Sequence, residues 1–415
     1  MDFQGLLGIA VILLGCWVVS ENRKQINWRL ILGAFFLQLI LAFLFLSLEI
    51  FQTGLVSLNQ IVLIIDQATV AGASMVFGYL GGGALPFTEH FPGASFVLAF
   101  RSLPIVMVMG AISSVLFYWK VLPAVIRGFS WALEKTMGIS GAVGMGAAAN
   151  VFLGMVESPL LIKPYLMAMS RSQLFMVMTC GMATVAGTVM VLYATLIGGL
   201  LTGALGHILV ASLISAPAAI MIAELLVPGD DQDVEVKAEI QSSAASTMDA
   251  ITQGTQDGLK LFLNIIAMLI VMVALVSIVN QVLALFPEFL GQPITLERLL
   301  GYLFAPVMWL VGVPWAEANI AGSLMGTKVV LNEFLAFLHL SQLPIDTLSE
   351  KSRLITVYSL CGFANLGSLG IMIGGLTALV PEKRSDVISL GMKTILSGVL
   401  ATLLTGAWVG LVTAL

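Results

Sequence analysis

The chain is 415 residues long, 59% hydrophobic and only 10% charged, with a mean hydropathy of +1.03 and a formal net charge of −5. Soluble domains carry about 25% charge, so a soluble enzyme or a nucleic-acid-binding protein is excluded. The apolar runs are long and helical rather than alternations of roughly ten residues, which leaves an all-α polytopic membrane protein with the lipid bilayer as partner.

Taken in order, residues 4–20 form a first span: Asp2 stands where a cleavable signal would be basic. Arg23, Lys24 and Arg29 place the next loop in the cytoplasm, and the N-terminus on the periplasmic side. A second span covers 30–50. Asn59, Asp66 and Gln67 make 55–79 an interfacial helix, and GGGALPFTEHFPG at 81–93 is a loop. The third span, 97–119, returns to Lys120, Arg127 and Lys135, and 121–137 reads as an amphipathic interfacial helix.

A stretch unlike a plain spanning helix follows. Asn150, Glu157, Ser158 and Pro159 lie in an otherwise apolar segment, and a carboxylate in hydrocarbon costs about 2.5–3.5 kcal/mol. Pro159 removes a backbone bond two residues after that acid. Broken backbone at membrane depth survives only when buried in protein or lining a cavity. We therefore expect a re-entrant hairpin at 139–169, then a span at 173–198 interrupted near Cys180–Thr188, then a span at 204–226. Residues 229–258 hold seven acids and one lysine, so 227–258 reads as an acidic cytoplasmic linker before a span at 259–286.

The pattern then recurs. VLPAV at 121–125 is echoed by FAPVM at 304–308, MTCGMATVAG at 178–187 by YSLCGFANLGS at 358–368, and Glu157 by Glu333. The unit 97–226 contains an odd number of crossings, which turns the second copy, 259–415, upside down. Its hairpin is expected at 315–342, its broken span at 353–378, and PEKRSD at 381–386 returns to the cytoplasm before a last span ends outside. The sum is eight transmembrane helices, two re-entrant hairpins and three interfacial helices in an inverted repeat, preceded by N-terminal helices at 1–96.

Inverted repeats with broken helices are the build of secondary transporters, with the site at mid-bilayer. Glu157 and Glu333, at matched hairpin positions, suit a neutral ligand rich in hydroxyl or N–H groups. The bland alternative is a structural carboxylate bonded to hairpin backbone. Asn365 and Ser368 sit where the second broken helix unwinds, with Phe363 beside them. Met155, Val156 and Val189 are packing residues by default, and face a flat ring if a cavity opens there. Asn150, Thr184 and the main-chain carbonyls of Leu153 and Val185 are hard oxygen donors without fixed charge, a set suited to Na⁺. Glu317 caps the second hairpin or pairs with Lys328. His90, His207 and His339 are scattered, most tryptophans read as interfacial anchors, and Cys16, Cys180 and Cys361 lie in apolar segments. Phosphate-loop, zinc-protease and nucleophile-elbow motifs are missing, which argues against an enzyme.

At these residues the chain resembles the concentrative nucleoside transporters. AAANVFLGMVESPLLIKPYL is similar to their signature N-x-F-x-G-Q-T-E-[AS]-P-L, and GVPWAEANIAG, LNEFLAF and CGFANLGSLGIMIGGL resemble their second-half signatures. The resemblance implies a homotrimer in which hairpins and broken helices form a transport domain moving against a scaffold as an elevator. It also implies that Glu333, Asn365 and Ser368 hold the ribose, with Phe363 nearby. Glu157 and Val189 would face the base, and Asn150, Leu153, Thr184 and Val185 would ligate a sodium ion. Family members that use protons lack the asparagine at 150. One departure stands out: Met155 and Val156 replace a Gln and a Thr of the signature, so the base end has lost hydrogen-bonding capacity. The implied function is sodium-coupled nucleoside import across a bacterial inner membrane. The alternatives are proton coupling or a nucleoside-like ligand with altered base selectivity. An intramembrane enzyme and a passive channel are rivals from other classes.

Overall fold

A computed structural model of the chain describes residues 3–91, 94–229, 244–288 and 291–413. Of the expectations above, residues 230–243 of the acidic linker, the end of the 81–93 loop and the side chain of Asn59 lie outside the described residues. The described chain is helical throughout.

Helices α1 (Phe3–Val18) and α2 (Trp28–Ser47) open the chain, the second capped by the Asn27 side chain accepting from Leu30 N–H. One extended residue, Leu48, turns directly into α3 (Glu49–Phe77). This helix is longer than the 55–79 expected for the interfacial segment, and residues 60–81 are apolar enough to cross a membrane by length and composition. Next come α4 (Leu98–Arg101) and α5 (Ile105–Tyr118), then α6 (Val121–Met137), bounded by Lys120 and Gly138 in left-handed conformations. The first hairpin consists of α7 (Gly141–Phe152), a non-helical tip, and the short α8 (Glu157–Leu161) and α9 (Lys163–Leu166).

After it, a capping box between Ser170 and Gln173 starts α10 (Arg171–Ala183), which breaks before α11 (Gly187–Ile197); α12 (Ala204–Leu226) follows. Helix α13 (Thr247–Leu283) begins twelve residues before the span expected at 259, because Ser246 caps it and the polar TQ/DG stretch continues the helix beyond the apolar part. At 37 residues it is about 55 Å long. The second copy comprises α14 (Leu296–Leu310), a hairpin of α15 (Trp315–Val330) and α16 (Glu333–Gln342), a broken pair α17 (Glu350–Leu360) and α18 (Leu366–Leu379), and α19 (Arg384–Val412). Helices α14 and α15 meet at a bend of 119°, as an interfacial helix feeding a re-entrant hairpin does.

Burial separates centre from rim. The most apolar stretches of α10–α11, α12 and α19 are 89%, 89% and 83% buried within the protein, against 6% for α13. Inside that centre, polar side chains pair across helices: Thr179 with Ser397 at 2.8 Å, Ser215 with Thr405 at 2.9 Å, and Trp408 Nε1 donating to Gln38 Oε1 at 3.0 Å. An unpaired buried hydroxyl costs about 1–3 kcal/mol, so these pairs fix the register of α2, α10, α12 and α19. Trp408 is therefore a core residue, unlike the exposed Trp28, Trp119 and Trp315 that fit the interfacial reading.

At one end of the bundle the residues expected in the cytoplasm meet. Arg171 lies 3.3 Å from Glu21 and 3.9 Å from Asp386, and Lys393 also bonds Glu21. Lys383 Nζ donates to the Met169 carbonyl at 2.8 Å. Elsewhere, Arg353 donates to the Leu200 carbonyl at 3.0 Å, tying α17 to the loop between α11 and α12.

Candidate functional site

The two helix breaks lie back to back. Gly362, in the second break, has φ +152°, and a Cβ there would come within 2.9 Å of the Met182 carbonyl and 3.1 Å of the Ala183 carbonyl carbon, at the end of α10. Only a residue without a side chain lets the two unwound segments approach so closely. Hairpin tips close in from either side, and α13 covers the flank. Together they enclose a cavity of about 200 Å³.

All of the expected substrate contacts line it: Met155, Val156 and Glu157 from the first tip, Val189 from α11, Glu333 from the second tip, and Phe363, Asn365 and Ser368 from the second break. Glu333 is buried in the first turn of α16. Its carboxylate accepts from Tyr193 Oη at 2.7 Å and from Asn365 Nδ2 at 2.9 Å. A carboxylate offers about four acceptor positions, so the group can still accept from a ligand hydroxyl. Asn365 spends its amide oxygen on capping α18, accepting from Ser368 N–H at 2.7 Å, and its amide nitrogen on Glu333. It thus aims the acid and anchors the helix at once.

Glu157 is different. Its carboxylate folds back towards Gly154, where a Cβ would stand 2.0 Å from Oε2, and it makes no hydrogen bond among the described residues. Val156 packs on Gly375 of α18, and Met155 lies against Gly181. The first tip is consequently apolar around a single free acid.

The four expected sodium ligands gather outside this cavity, where α7 ends beside the first break. Thr184 Oγ1 donates to the main-chain oxygen of Asn150 at 3.0 Å and of Cys180 at 2.9 Å, while Val185 N–H donates to Ser212 Oγ at 3.1 Å. Leu153 caps α7 in extended conformation. Asn150 is 2% exposed, its Nδ2 donates to the Gly146 carbonyl, and its Oδ1 is a buried oxygen with no partner. A Cβ at Gly181 would come within 3.3 Å of that oxygen, so the glycine keeps the adjoining space open. An unpaired buried oxygen among neutral hard donors fits a small cation.

Sequence reasoning missed several lining residues. Tyr193 stacks on Phe337 at 5.0 Å and lies tilted against Phe334 at 6.2 Å, as an apolar core ring would, so nothing in the pattern marked the tyrosine hydroxyl. Thr188, Asn332 and Asn264 were readable as polar side chains in apolar surroundings; Asn264 lies on α13, the helix that also gives Leu261, Ile265, Met268 and Leu269 to the wall. Glu317 does not pair with Lys328: it accepts from Ser349 N–H at 3.1 Å and Oγ at 3.0 Å, at the start of α17, while Lys328 is fully buried elsewhere. His207, expected at an interface, is drawn inward by Tyr358 Oη at 3.0 Å.

Three family models match the chain: the Na⁺ dependent nucleoside transporter N-terminus over residues 7–80, nucleoside recognition over 99–200, and the Na⁺ dependent nucleoside transporter C-terminus over 207–410. The chain is 35% identical to the nucleoside permease NupC of Helicobacter pylori (strain ATCC 700392 / 26695), over 98% of this chain and 96% of that one. The chain belongs to the sodium-dependent nucleoside transporter family. An uncharacterized transporter of Bacillus subtilis (strain 168) is 36% identical over 98% of both chains. Among solved structures, the transporter is similar to CNTnw in an inward-facing substrate-bound state, with a TM-score of 0.91, 35% identity and complete coverage of both chains. A doubly substituted CNTnw in an outward-facing state gives 0.90 and 34%, covering 100% of this chain and 98% of that one. A nucleoside transporter of this family is not an enzyme, and the family uses the sodium ion.

Proposed function

We propose that this transporter is a sodium-coupled symporter that imports nucleosides across the inner (plasma) membrane, working as a homotrimer by an elevator-type alternating-access movement. The observation that carries the reading is one cavity walled by both hairpin tips and both helix breaks, with Asn150 Oδ1 left unbonded beside it. Glu333, Asn365 and Ser368, with Phe363, take the ribose; Glu157, Val189, Met155 and Val156 face the base. Sodium sits at Asn150, Leu153, Thr184 and Val185, none of which carries a titratable side chain, and this favours a metal cation over a proton. Two acids in one pocket repel phosphate, so the cargo is a nucleoside and not a nucleotide.

On this reading residues 1–96 supply scaffold helices, and the hairpins at 139–169 and 315–342 travel with the broken helices of the two repeats, 97–226 and 259–415. The cluster of Glu21, Arg171, Asp386 and Lys393 at one end of the bundle supports a shared cytoplasmic side, with both termini periplasmic. Ion loading orders the first tip, completes the pocket at Glu157, and lets the sodium gradient drive uptake. Met155 and Val156 favour one variation, a ligand whose base is recognised by apolar contact instead of hydrogen bonds.

The test is uptake of labelled uridine by reconstituted vesicles, competed by nucleosides, free bases and nucleoside monophosphates, with and without sodium. Nucleosides compete and monophosphates do not; uptake rises with sodium. Equal uptake without sodium, or uptake driven by a pH gradient alone, overturns the coupling ion.

A further inference from the structure

Asn150 has a counterpart in the inverted second copy. It lies three residues before Leu153, which caps α7 at the first hairpin tip; three residues before Leu331, the cap of α15 at the second tip, stands Lys328. The helices behind the breaks match in the same way. Ser215 of α12 and Thr405 of α19 bond each other at 2.9 Å. Three residues before each stand Ser212, which accepts from the first break at Val185 N–H, and Thr402, which accepts from Lys328 Nζ at 2.9 Å. The ammonium also donates to the Ser359 carbonyl, in the last turn of α17, at 2.7 Å. In the first copy Asn150 Oδ1 has nothing bonded to it and adjoins Gly181, in the last turn of α10.

We propose that Lys328 is a tethered cation doing in the second copy what sodium does in the first, so that each transport cycle carries a single sodium ion. This rests on the sodium reading of Asn150 and Thr184 given above. A helix that stops inside a membrane leaves last-turn carbonyls and a negative dipole end, and a cation there satisfies both. In the first copy that cation is exchangeable, because asparagine supplies oxygen without charge. In the second copy the amine is covalently attached and already bonded, so the ribose half needs no exchangeable ion to form. Burial of Lys328 to 0% exposure, with its nitrogen bonded to one carbonyl and one hydroxyl, is the arrangement of a bound ion and not of a solvated surface lysine.

The experiment measures labelled uridine uptake against sodium concentration in vesicles containing the full chain, for wild type, Lys328→Asn, Lys328→Arg and Asn150→Lys. Wild type and Lys328→Arg give a Hill slope of about 1, and Lys328→Asn, with two exchangeable sites, rises towards about 2. Its half-saturating sodium concentration rises by about tenfold or more. Asn150→Lys, read by uridine binding in detergent, binds equally with and without sodium, and this arm stands if Lys328→Asn fails to fold. A folded Lys328→Asn protein with the wild-type slope and half-saturation overturns the proposal, as does a folded Asn150→Lys protein that still requires sodium to bind uridine. A wild type indifferent to sodium, by contrast, refutes the sodium site itself.

Discussion

The two hairpin tips are built to one plan and finished differently. At the second, the acid is clamped: Glu333 takes bonds from Tyr193 and Asn365, and its helix is capped by Asn332, which accepts from Leu335 N–H at 2.8 Å. At the first, Glu157 is free, its neighbours Met155 and Val156 are apolar, and an oxygen of Asn150 waits unbonded. A carboxylate held by two donors before any ligand arrives costs little to organise on binding. One that must be ordered by an ion and a ligand gives the protein a point of control. Under the function proposed above, the difference means that the sugar end is prepared in advance and the base end is assembled when ion and cargo are both present.

The sharpest way to break that comparison is Glu333→Gln. Two charge-assisted hydrogen bonds at about 1.5 kcal/mol each translate into a loss of roughly a hundredfold in kcat/KM for uridine uptake. A protein of wild-type elution volume with wild-type uptake would show that the clamped acid is structural. Asn150→Ala comes next: uptake in its absence of sodium stays at the wild-type basal level, and the stimulation by sodium vanishes, as a titration of rate against sodium reads directly.

Tyr193→Phe sharpens the contrast, because it removes one of the two clamps and leaves the ring packing on Phe337. We expect the Kd for uridine to rise about tenfold with the sodium dependence unchanged. Were the tyrosine only a core ring, calorimetry would find no change in Kd. Restoring polarity at the open tip with Met155→Gln and Val156→Thr should alter the ratio of purine to pyrimidine nucleoside uptake by about fivefold and spare ribose recognition, judged by competition with a panel of bases on a common ribose.

The smallest effect lies far from both tips. Partial burial pulls the Glu21 carboxyl upward, but the hydrogen bonds and charges of Lys393 and Arg171 outweigh it and hold the group below its usual range. A depressed carboxylate contributes its stabilisation above the unfolded pKa of about 4.3 and loses it as pH falls through the folded value. Thermal melts in detergent should therefore separate wild type from Glu21→Gln slightly at pH 7 and bring them together in acid; the gap should also shrink with salt, since the pair is partly exposed.

Most of the architecture was legible because hydrocarbon makes polar residues expensive. Glu157, Pro159, Glu333 and the small-residue strings around Cys180 and Cys361 each violate the rule for a spanning helix, and the violations mark the hairpins and breaks. The second hairpin, expected at 315–342, has those same bounds in the helices Trp315–Val330 and Glu333–Gln342. What stayed hidden has an equally physical cause. Tyr193 sits in a helix made mostly of buried apolar residues, and only its hydroxyl, not its spacing, serves Glu333. Lys328 looked like a partner for the acid at 317 because a sequence shows charge and not depth. The start of α13 at Thr247 was missed because a polar helix end resembles a linker in composition.

The contact of Gly362 with the end of α10 has a mechanical meaning of its own. Two interruptions that touch cannot shift independently: whatever straightens or tightens one presses on the other through a gap with no side chain to cushion it. Under the proposed function, cargo seated at one break is thereby felt by the ion's perch at the other, much as two gear teeth in mesh share every rotation. A single methyl group at this glycine would act as a wedge between them, separating ion from cargo without touching either.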